Sequence, residues 1–515
     1  MPLTIHHDHE LGPLNRFWRA TGFANPRELL SPPCRAQLAM AAADPGPNLE
    51  HVRIHYLLDL VEADGLDRAD PTYDWSKLDA AIDVLVGVGM KPFFELMGNP
   101  SGAFTDFNDA DQLDAWRRVV TDLASHLASR YGRDEVRSWY FETWNEPDCD
   151  TWWKQFNHDP ASLCKYYDAC AAGLREADDR LILGGPGGCA GLSPTVLAFL
   201  DHCDHGRDYY TGELPRKPDF LSMHEKGAPM TEEHVDPDVT RILEAQLRFV
   251  DHIREHCPRL ADVSVMNGEA DPQIGWHLPH PWRATAYYAA FVVRLIQRQI
   301  EEILGQREVP LEMVINDNGF VGGWGNRTLT TLIGDPETER DDGFALLPKP
   351  VFHAMSLLNE LGPTRLEHHW RPDEHETPGP GQVGAIATRR HDGRLAILVS
   401  RFTDAWRERQ TGVVTVALPR LVSDGATARI RTIQDTDALD HAATLDPRDP
   451  RLLEPEPWER LQRATALNEH TVPLGQAGPD TPCLRVDLPL PSVVLIEIDP
   501  AHGPTASETN DSTHR

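Results

Sequence analysis

Two short apolar runs, Val52-Arg-Ile-His-Tyr-Leu-Leu58 and Lys91-Pro-Phe-Phe-Glu-Leu-Met97, decide the fold. Between them Leu78, Ala81, Ile82 and Leu85 recur at helical spacing, with Asp74 placed as an N-cap and Gly87 and Gly89 near the far end. Strand, helix and strand in that order form the unit of a parallel sheet with helices outside it. The unit repeats along the chain. Leu113, Trp116, Val120, Leu123 and Leu127 mark the next helix, closed by Gly132. Further strands are expected at 138–144, 181–186, 219–224, 262–268 and 311–317, with helical patterns at 162–176 and 284–304. Such regular alternation over the first two-thirds of the chain favours a closed (β/α)8 (TIM) barrel over an open doubly wound sheet. No G-x-G-x-x-G follows the first strand, which also argues against a dinucleotide fold.

From about residue 380 the texture changes. Strand-like runs at 384–390 and 394–400 flank His391-Asp-Gly393, a hairpin signal. More runs follow at 412–418, 427–433 and 492–498, with one short helix near 457–467. This part reads as an appended antiparallel β-sandwich. The expected layout is a barrel over 16–375, a sandwich over 376–501 and a polar, disordered tail over 502–515.

The 515 residues carry 49 Lys+Arg against 80 Asp+Glu, a formal net charge of −31. Such a surface repels nucleic acid and anionic membranes, so neither is expected as a partner. No stretch approaches the roughly 18 apolar residues of a membrane span. Met1–Leu11 is polar and histidine-rich, without the basic and apolar regions of a secretion signal, so a cytoplasmic location is expected. Cys34, Cys149, Cys164, Cys170, Cys189, Cys203, Cys257 and Cys483 show no metal-type spacing and read as reduced thiols, with at most one internal disulfide. No metal or cofactor is expected. His6, His7, Asp8 and His9 form a cluster, but it lies in a terminal segment away from any strand end and reads as solvated.

In a barrel the chemistry sits at the C-terminal ends of the strands, so acidic residues there are the ones to inspect. Glu146 lies in Phe141-Glu-Thr-Trp-Asn-Glu-Pro-Asp148, where Pro147 ends ladder pairing and turns the chain at the barrel mouth. A lone Glu-Pro is common in turns; Trp-Asn-Glu-Pro is far more specific. Asn145 offers an amide to a sugar hydroxyl. Glu269 lies in Val263-Ser-Val-Met-Asn-Gly-Glu-Ala-Asp271, again at a strand end, with Asp271 as its competitor. Several strand–helix units separate the two glutamates, so they can meet only across the mouth. Glycosidic cleavage needs such a pair: one protonates the leaving oxygen, the other attacks the anomeric carbon, and a separation of about 5–5.5 Å predicts retention. Repulsion from ionised Glu269 is expected to raise the pKa of Glu146 and keep it protonated.

These residues resemble glycoside hydrolase family 39. The resemblance runs from Gly12-Pro-Leu-Asn-Arg-Phe-Trp-Arg-Ala-Thr-Gly22 to Leu488-Pro-Leu-Pro-Ser-Val-Val-Leu495. It is densest at Phe94–Gly98, Phe104–Phe107, Phe141–Asp148, Tyr167–Cys170, Glu269–Pro272, Gly275-Trp276, Pro281–Ala284 and Arg327–Thr330. It implies Glu146 as acid/base, Glu269 as nucleophile and Asn145 on the sugar. It also implies a pocket containing His55, His224, Lys226, Gly275, Asp317 and Arg327, and a short N-terminal strand within residues 1–15 that joins the sandwich. The C-terminal fibronectin-like domain of the family's lysosomal members is expected to be absent, and the segment after Thr21-Gly-Phe23 diverges.

Within the family, Met223-His-Glu-Lys-Gly227 looks like the branch acting on α-L-iduronides rather than on β-xylosides, although the residue between His and Lys differs. The two sugars differ mainly by a carboxylate at C5. A uronate pocket needs a cation, which a xylose pocket would leave unpaired. Lys226 and Arg327 supply two, and Arg327 suits bidentate capture. The expected partner is therefore an oligosaccharide with a terminal uronate, despite the repulsive net charge. Asp317 is expected to accept sugar hydroxyls or to orient Arg327. His55 and His224 either donate to the sugar or sit as satisfied core histidines. Trp276 and Trp282 either wall the sugar or pack beneath the loop. A β-xylosidase is the alternative within the family; a non-catalytic sugar-binding barrel, which would have lost one glutamate, is the alternative outside it.

Overall fold

A computed structural model describes residues 2–23, 25–149, 159–231, 236–275, 277–337, 343–370, 383–419, 426–478 and 481–499. Eight strands run parallel and pair in chain order: β1 Ala20–Phe23, β2 His51–Ile54, β3 Lys91–Glu95, β4 Tyr140–Glu142, β5 Ile182–Gly188, β6 Phe220–Met223, β7 Ser264–Asn267 and β8 Leu311–Val314. A parallel bridge from Ala20 to Ile315 joins the two edges and closes the barrel. One main helix follows each strand: Pro32–Ala42, Ser76–Gly87, Ala110–Tyr131, Pro160–Ala177, Pro194–His205, Val239–His256, Ala286–Arg298 and Pro350–Asn359.

Alternation along the strands explains the burial. Val52, Ile54, Phe94, Phe141, Leu221 and Val265 face outward into the core shared with the helices. Ala20, Phe93, Tyr140, Phe220, Met266 and Met313 face inward and fill the lower barrel as a separate apolar cluster. This floor separates the polar side chains at the mouth from Arg19, Ser264 and Glu312 at the opposite end, where Arg19 donates to the Tyr140 hydroxyl (2.9 Å). Strand β1 was not anticipated. It is four residues long, contains a glycine and has no apolar run to betray it.

Ten further strands form one sheet around a second apolar core. They include the runs expected near 384–390, 394–400, 412–418, 427–433 and 492–498. The N-terminal strand Pro2–Pro13 pairs antiparallel with Thr364–Trp370 and parallel with Val413–Ala417, which puts it inside the sheet. Leu3 and Ile5 enter the second core, whereas His6 and His9 stack outside it and Glu367 lies 2.8 Å from His9 Nδ1. Thr364–Trp370 belongs to this sheet although it precedes the expected start at 376. Its polar residues hide it, since only Leu366 is fully buried there. Residues 375–376 and the tail at 502–515 lie outside the described residues. The sheet's other face packs on helix Ala286–Arg298, where Gln297 donates to Leu398 O (3.3 Å) and accepts from Ser400 Oγ (2.6 Å). All eight cysteines are unpaired. No helix among the described residues is long and apolar enough to cross a membrane.

Apart from Leu3, every member of this second core lies far from Ile5 in sequence. Ile5→Ala should lower unfolding stability by about 2–5 kcal/mol in a denaturant titration. A loss under about 1 kcal/mol would contradict a buried N-terminal strand.

Candidate active site

The site starts from a register. Strands β3 and β4 place Glu95 directly beside Glu142, both fully buried. Adjacent like charges need a cation between them. Arg53 from β2 supplies it, with Nη2 2.7 Å from Glu95 Oε1 and Nε 2.8 Å from Glu142 Oε2. The same guanidinium reaches Glu269 Oε1 at 3.2 Å and Asn145 Oδ1 at 2.9 Å. Burial alone would lower the Arg53 pKa, but Glu142, Glu95 and Glu269 raise it above the usual value. Because arginine only donates, the Asn145 atom facing it is the carbonyl oxygen. The Asn145 amide nitrogen has no acceptor among the described residues.

Glu146 follows β4 in a left-handed backbone conformation, φ 46°, which is sparsely populated for a residue of this kind. Its N–H donates to Gly187 O (2.9 Å), so the chain beyond β4 stays tied to β5. Asp148 fixes the other side by accepting from Cys189 N (2.7 Å) and Ala190 N (3.3 Å). Glu269 follows β7, with its N–H donating to Asn267 Oδ1 (3.2 Å). Ligating atoms of Glu146, His224 and Glu269 all lie within 4.8 Å of one another. The two glutamates therefore face each other across the mouth.

Lys226, beyond β6, sits between them. Its Nζ lies 2.5 Å from Glu269 Oε2 and 3.4 Å from Glu146 Oε1. His224 Nδ1 lies 3.0 Å from Glu146 Oε1 and 3.5 Å from Glu269 Oε1. His55 bridges Glu95 (Nδ1, 2.6 Å) and Glu269 (Nε2, 3.6 Å). Burial would lower the His55 pKa, but Glu95 raises it above the usual value. These neighbours overturn the expected state of Glu146. Burial and Glu269 do raise its pKa, but Lys226 and His224 outweigh them and hold it at about 2. Burial opposes ionisation of Glu269 too, yet Lys226, His224, Arg53 and His55 hold it well below the usual range. Repulsion between the glutamates was foreseen; the lysine between them was not.

Arg327 is buried and paired with both Asp271 and Asp317. Asp317 thus pairs with Arg327. Its own backbone is left-handed, φ 42°, and its carboxylate occupies the space beside Gly22. A Cβ on Gly22 would lie 2.0 Å from Asp317 Oδ1, so β1 needs a glycine there. Burial pushes the Asp271 carboxyl well above its usual range, with Asp317 adding to the rise and Arg327 opposing it. Gly275 lies on a loop tied to the Lys226 loop through Gly227 N to Asp271 O (3.0 Å) and Ile274 N to Ala228 O (3.0 Å). Trp276 lies outside the described residues. Trp282 is fully buried against His280, so it packs beneath the loop. Glu146, Glu269 and His224 could in spacing hold a cation, but the Lys226 ammonium already fills that role.

Sequence reasoning missed Arg53, Glu95 and Glu142. The signal was present: alternation turns Arg53 inward in an otherwise apolar strand, and a buried cation demands carboxylates at the same level.

Paired carboxylates beside a buried amide at the C-terminal ends of barrel strands form an arrangement that glycosidic cleavage uses. The sequence profile of Glycosyl hydrolases family 39 matches residues 1–408. The chain belongs to that family. It is 36% identical to human alpha-L-iduronidase over 434 residues, a match covering 79% of this chain and 62% of the human one. It is 25% identical to the beta-xylosidase of Caldicellulosiruptor saccharolyticus over 499 residues, covering 92% and 93%. The solved structure of a bacterial orthologue of human alpha-L-iduronidase superposes with a TM-score of 0.85 at 33% identity, covering 98% of this chain and 84% of that one.

Arg53→Met should leave Glu95 and Glu142 buried without their cation and cost about 3–5 kcal/mol in unfolding stability. A variant that unfolds with the unaltered protein would show that Arg53 is not the hub of the mouth.

Proposed function

We propose that this chain is a retaining glycoside hydrolase that removes terminal α-L-iduronic acid from oligosaccharides of the glycosaminoglycan type. The observation that carries the reading is the glutamate pair, whose facing atoms lie within 4.8 Å. That closeness suits double displacement, in which the two carboxyl groups lie about 5–5.5 Å apart, rather than inversion, which needs about 6.5–9.5 Å. Glu146 protonates the leaving oxygen while Glu269 attacks the anomeric carbon and forms a glycosyl ester. The aglycone departs, and Glu146 then takes a proton from the water that attacks the ester. The spare amide N–H groups of Asn145 supply donors for a sugar hydroxyl.

Support for a uronate comes from partly buried Lys226 and buried Arg327, both at the mouth. Two of Arg327's five donors are engaged by Asp271 and Asp317, which fix the plane of its guanidinium. The iduronidase relatives point the same way. β-Xylosidase activity is the second reading, favoured by the relative from Caldicellulosiruptor saccharolyticus.

Hydrolysis of 4-methylumbelliferyl α-L-iduronide beside 4-nitrophenyl β-D-xyloside, at matched concentrations, tests the choice. A strong preference for the iduronide is expected; a preference for the xyloside would replace the first reading with the second. Glu269→Ala and Glu146→Gln should each reduce kcat by several orders of magnitude. Near-normal turnover in either would remove that residue's role. Arg327→Ala should weaken uronide turnover far more than xyloside turnover, and equal losses would sink a carboxylate-reading role.

A further inference from the structure

We infer that Lys226 is a transferable counter-ion: it pairs with Glu146 and Glu269 and passes to the substrate's carboxylate, so that Glu146 gains its proton only when an acidic sugar is bound. The inference rests on the uronate reading above.

Mobility separates Lys226 from the other cations. Arg53 is held by Glu95, Glu142, Glu269 and Asn145 at once. Arg327 is held between Asp271 and Asp317. Lys226 carries a compact ammonium on a flexible four-carbon stem. Its acceptors, Glu269 Oε2 and Glu146 Oε1, belong to the reacting pair.

The charges around each glutamate set the direction. Lys226 and His224 from the loop after β6, Glu269 from the loop after β7 and Cys189 after β5 face Glu146. Lys226 is the strongest influence lowering it, while burial and Glu269 push it up. Withdrawing the ammonium leaves only His224 opposing burial and Glu269, which lets Glu146 bind a proton. Glu269 loses the same cation but keeps Arg53 at 3.2 Å and His55 at 3.6 Å, so it stays ionised. The transfer thus sorts two similar carboxyls into an acid and a nucleophile. It also makes the C5 carboxylate a condition of turnover rather than of binding alone.

Calorimetric titration of the unaltered protein with L-iduronate, near about pH 6 in two buffers of different ionisation enthalpy, measures the proton directly. About one proton should be taken up per bound iduronate. Binding without uptake overturns the transfer and leaves the uronate reading standing. No binding removes that reading and the transfer with it. Glu146→Gln should bind iduronate without uptake, and uptake that persists there overturns the assignment to Glu146.

Lys226→Met supplies a second arm. Its turnover of 4-methylumbelliferyl α-L-idopyranoside, the same sugar with the carboxylate replaced by an alcohol, should rise about tenfold or more as the block on Glu146 protonation is lifted. Iduronide turnover should fall. A folded variant whose idopyranoside rate is unchanged or lower overturns the proposal.

Discussion

The mouth of this barrel depends on one guanidinium. Arg53 touches the ends of β3 and β4 through Glu95 and Glu142, the following turn through Asn145, and the far side through Glu269. Burying so much charge is favourable only if each group keeps its partner. The consequence is rigidity. Glu269 cannot swing away without stripping Arg53 of a carboxylate, and Asn145 cannot flip without facing a donor with a donor. The apolar floor of Phe93, Tyr140, Phe220, Met266 and Met313 supports this layer and keeps water from below. The positions of the reacting groups are thus set by charge pairing above and by packing beneath.

Charge within the pocket follows the same sign as charge over the whole chain. Glu95, Glu142, Glu146, Glu269, Asp271 and Asp317 form ion pairs with Arg53, Lys226 and Arg327. Every cation here already has acidic partners before any ligand arrives. An acidic sugar must therefore compete for one of them, and the repulsive net charge of −31 makes that competition harder. Part of the excess is relieved internally, because burial favours the protonated form of Asp271. On the proposed uronate reading, an anion would be selected by exchange of partners among these groups rather than by a basic surface.

Much of this was legible in the sequence. Apolar runs and helical spacing predict the strands from β2 onward, and Glu146 and Glu269 stand out because each ends such a run beside turn residues. What was not legible depends on contacts between distant segments. Strand β1 is short and contains Gly22, whose requirement comes from Asp317 across the barrel. Arg53 sits within a run read simply as apolar, and its meaning appears only once β3 and β4 align Glu95 with Glu142. Thr364–Trp370 looks like loop because a half-solvated strand shows few apolar residues. The protonation of Glu146 was misjudged because sequence shows the two glutamates but not the ammonium between them. Trp276 lies outside the described residues, so its place beside the sugar stays an expectation.

The interior position of Pro2–Pro13 in the second sheet has a consequence for how the molecule is made. These residues leave the ribosome well before their hydrogen-bonding neighbours, Thr364–Trp370 and Val413–Ala417, which emerge only after the whole barrel. The leading segment must wait, unpaired, while eight strand–helix units assemble beside it. Its histidines and acidic residues keep it soluble during that interval, since only Leu3 and Ile5 are strongly apolar on the face that is finally buried. Pairing of this strand ties residues 2–13 to residues 364–370 and 413–417, so the barrel lies in a loop of chain closed by the second sheet, and the two units are joined by main-chain hydrogen bonds as well as by the connecting peptide.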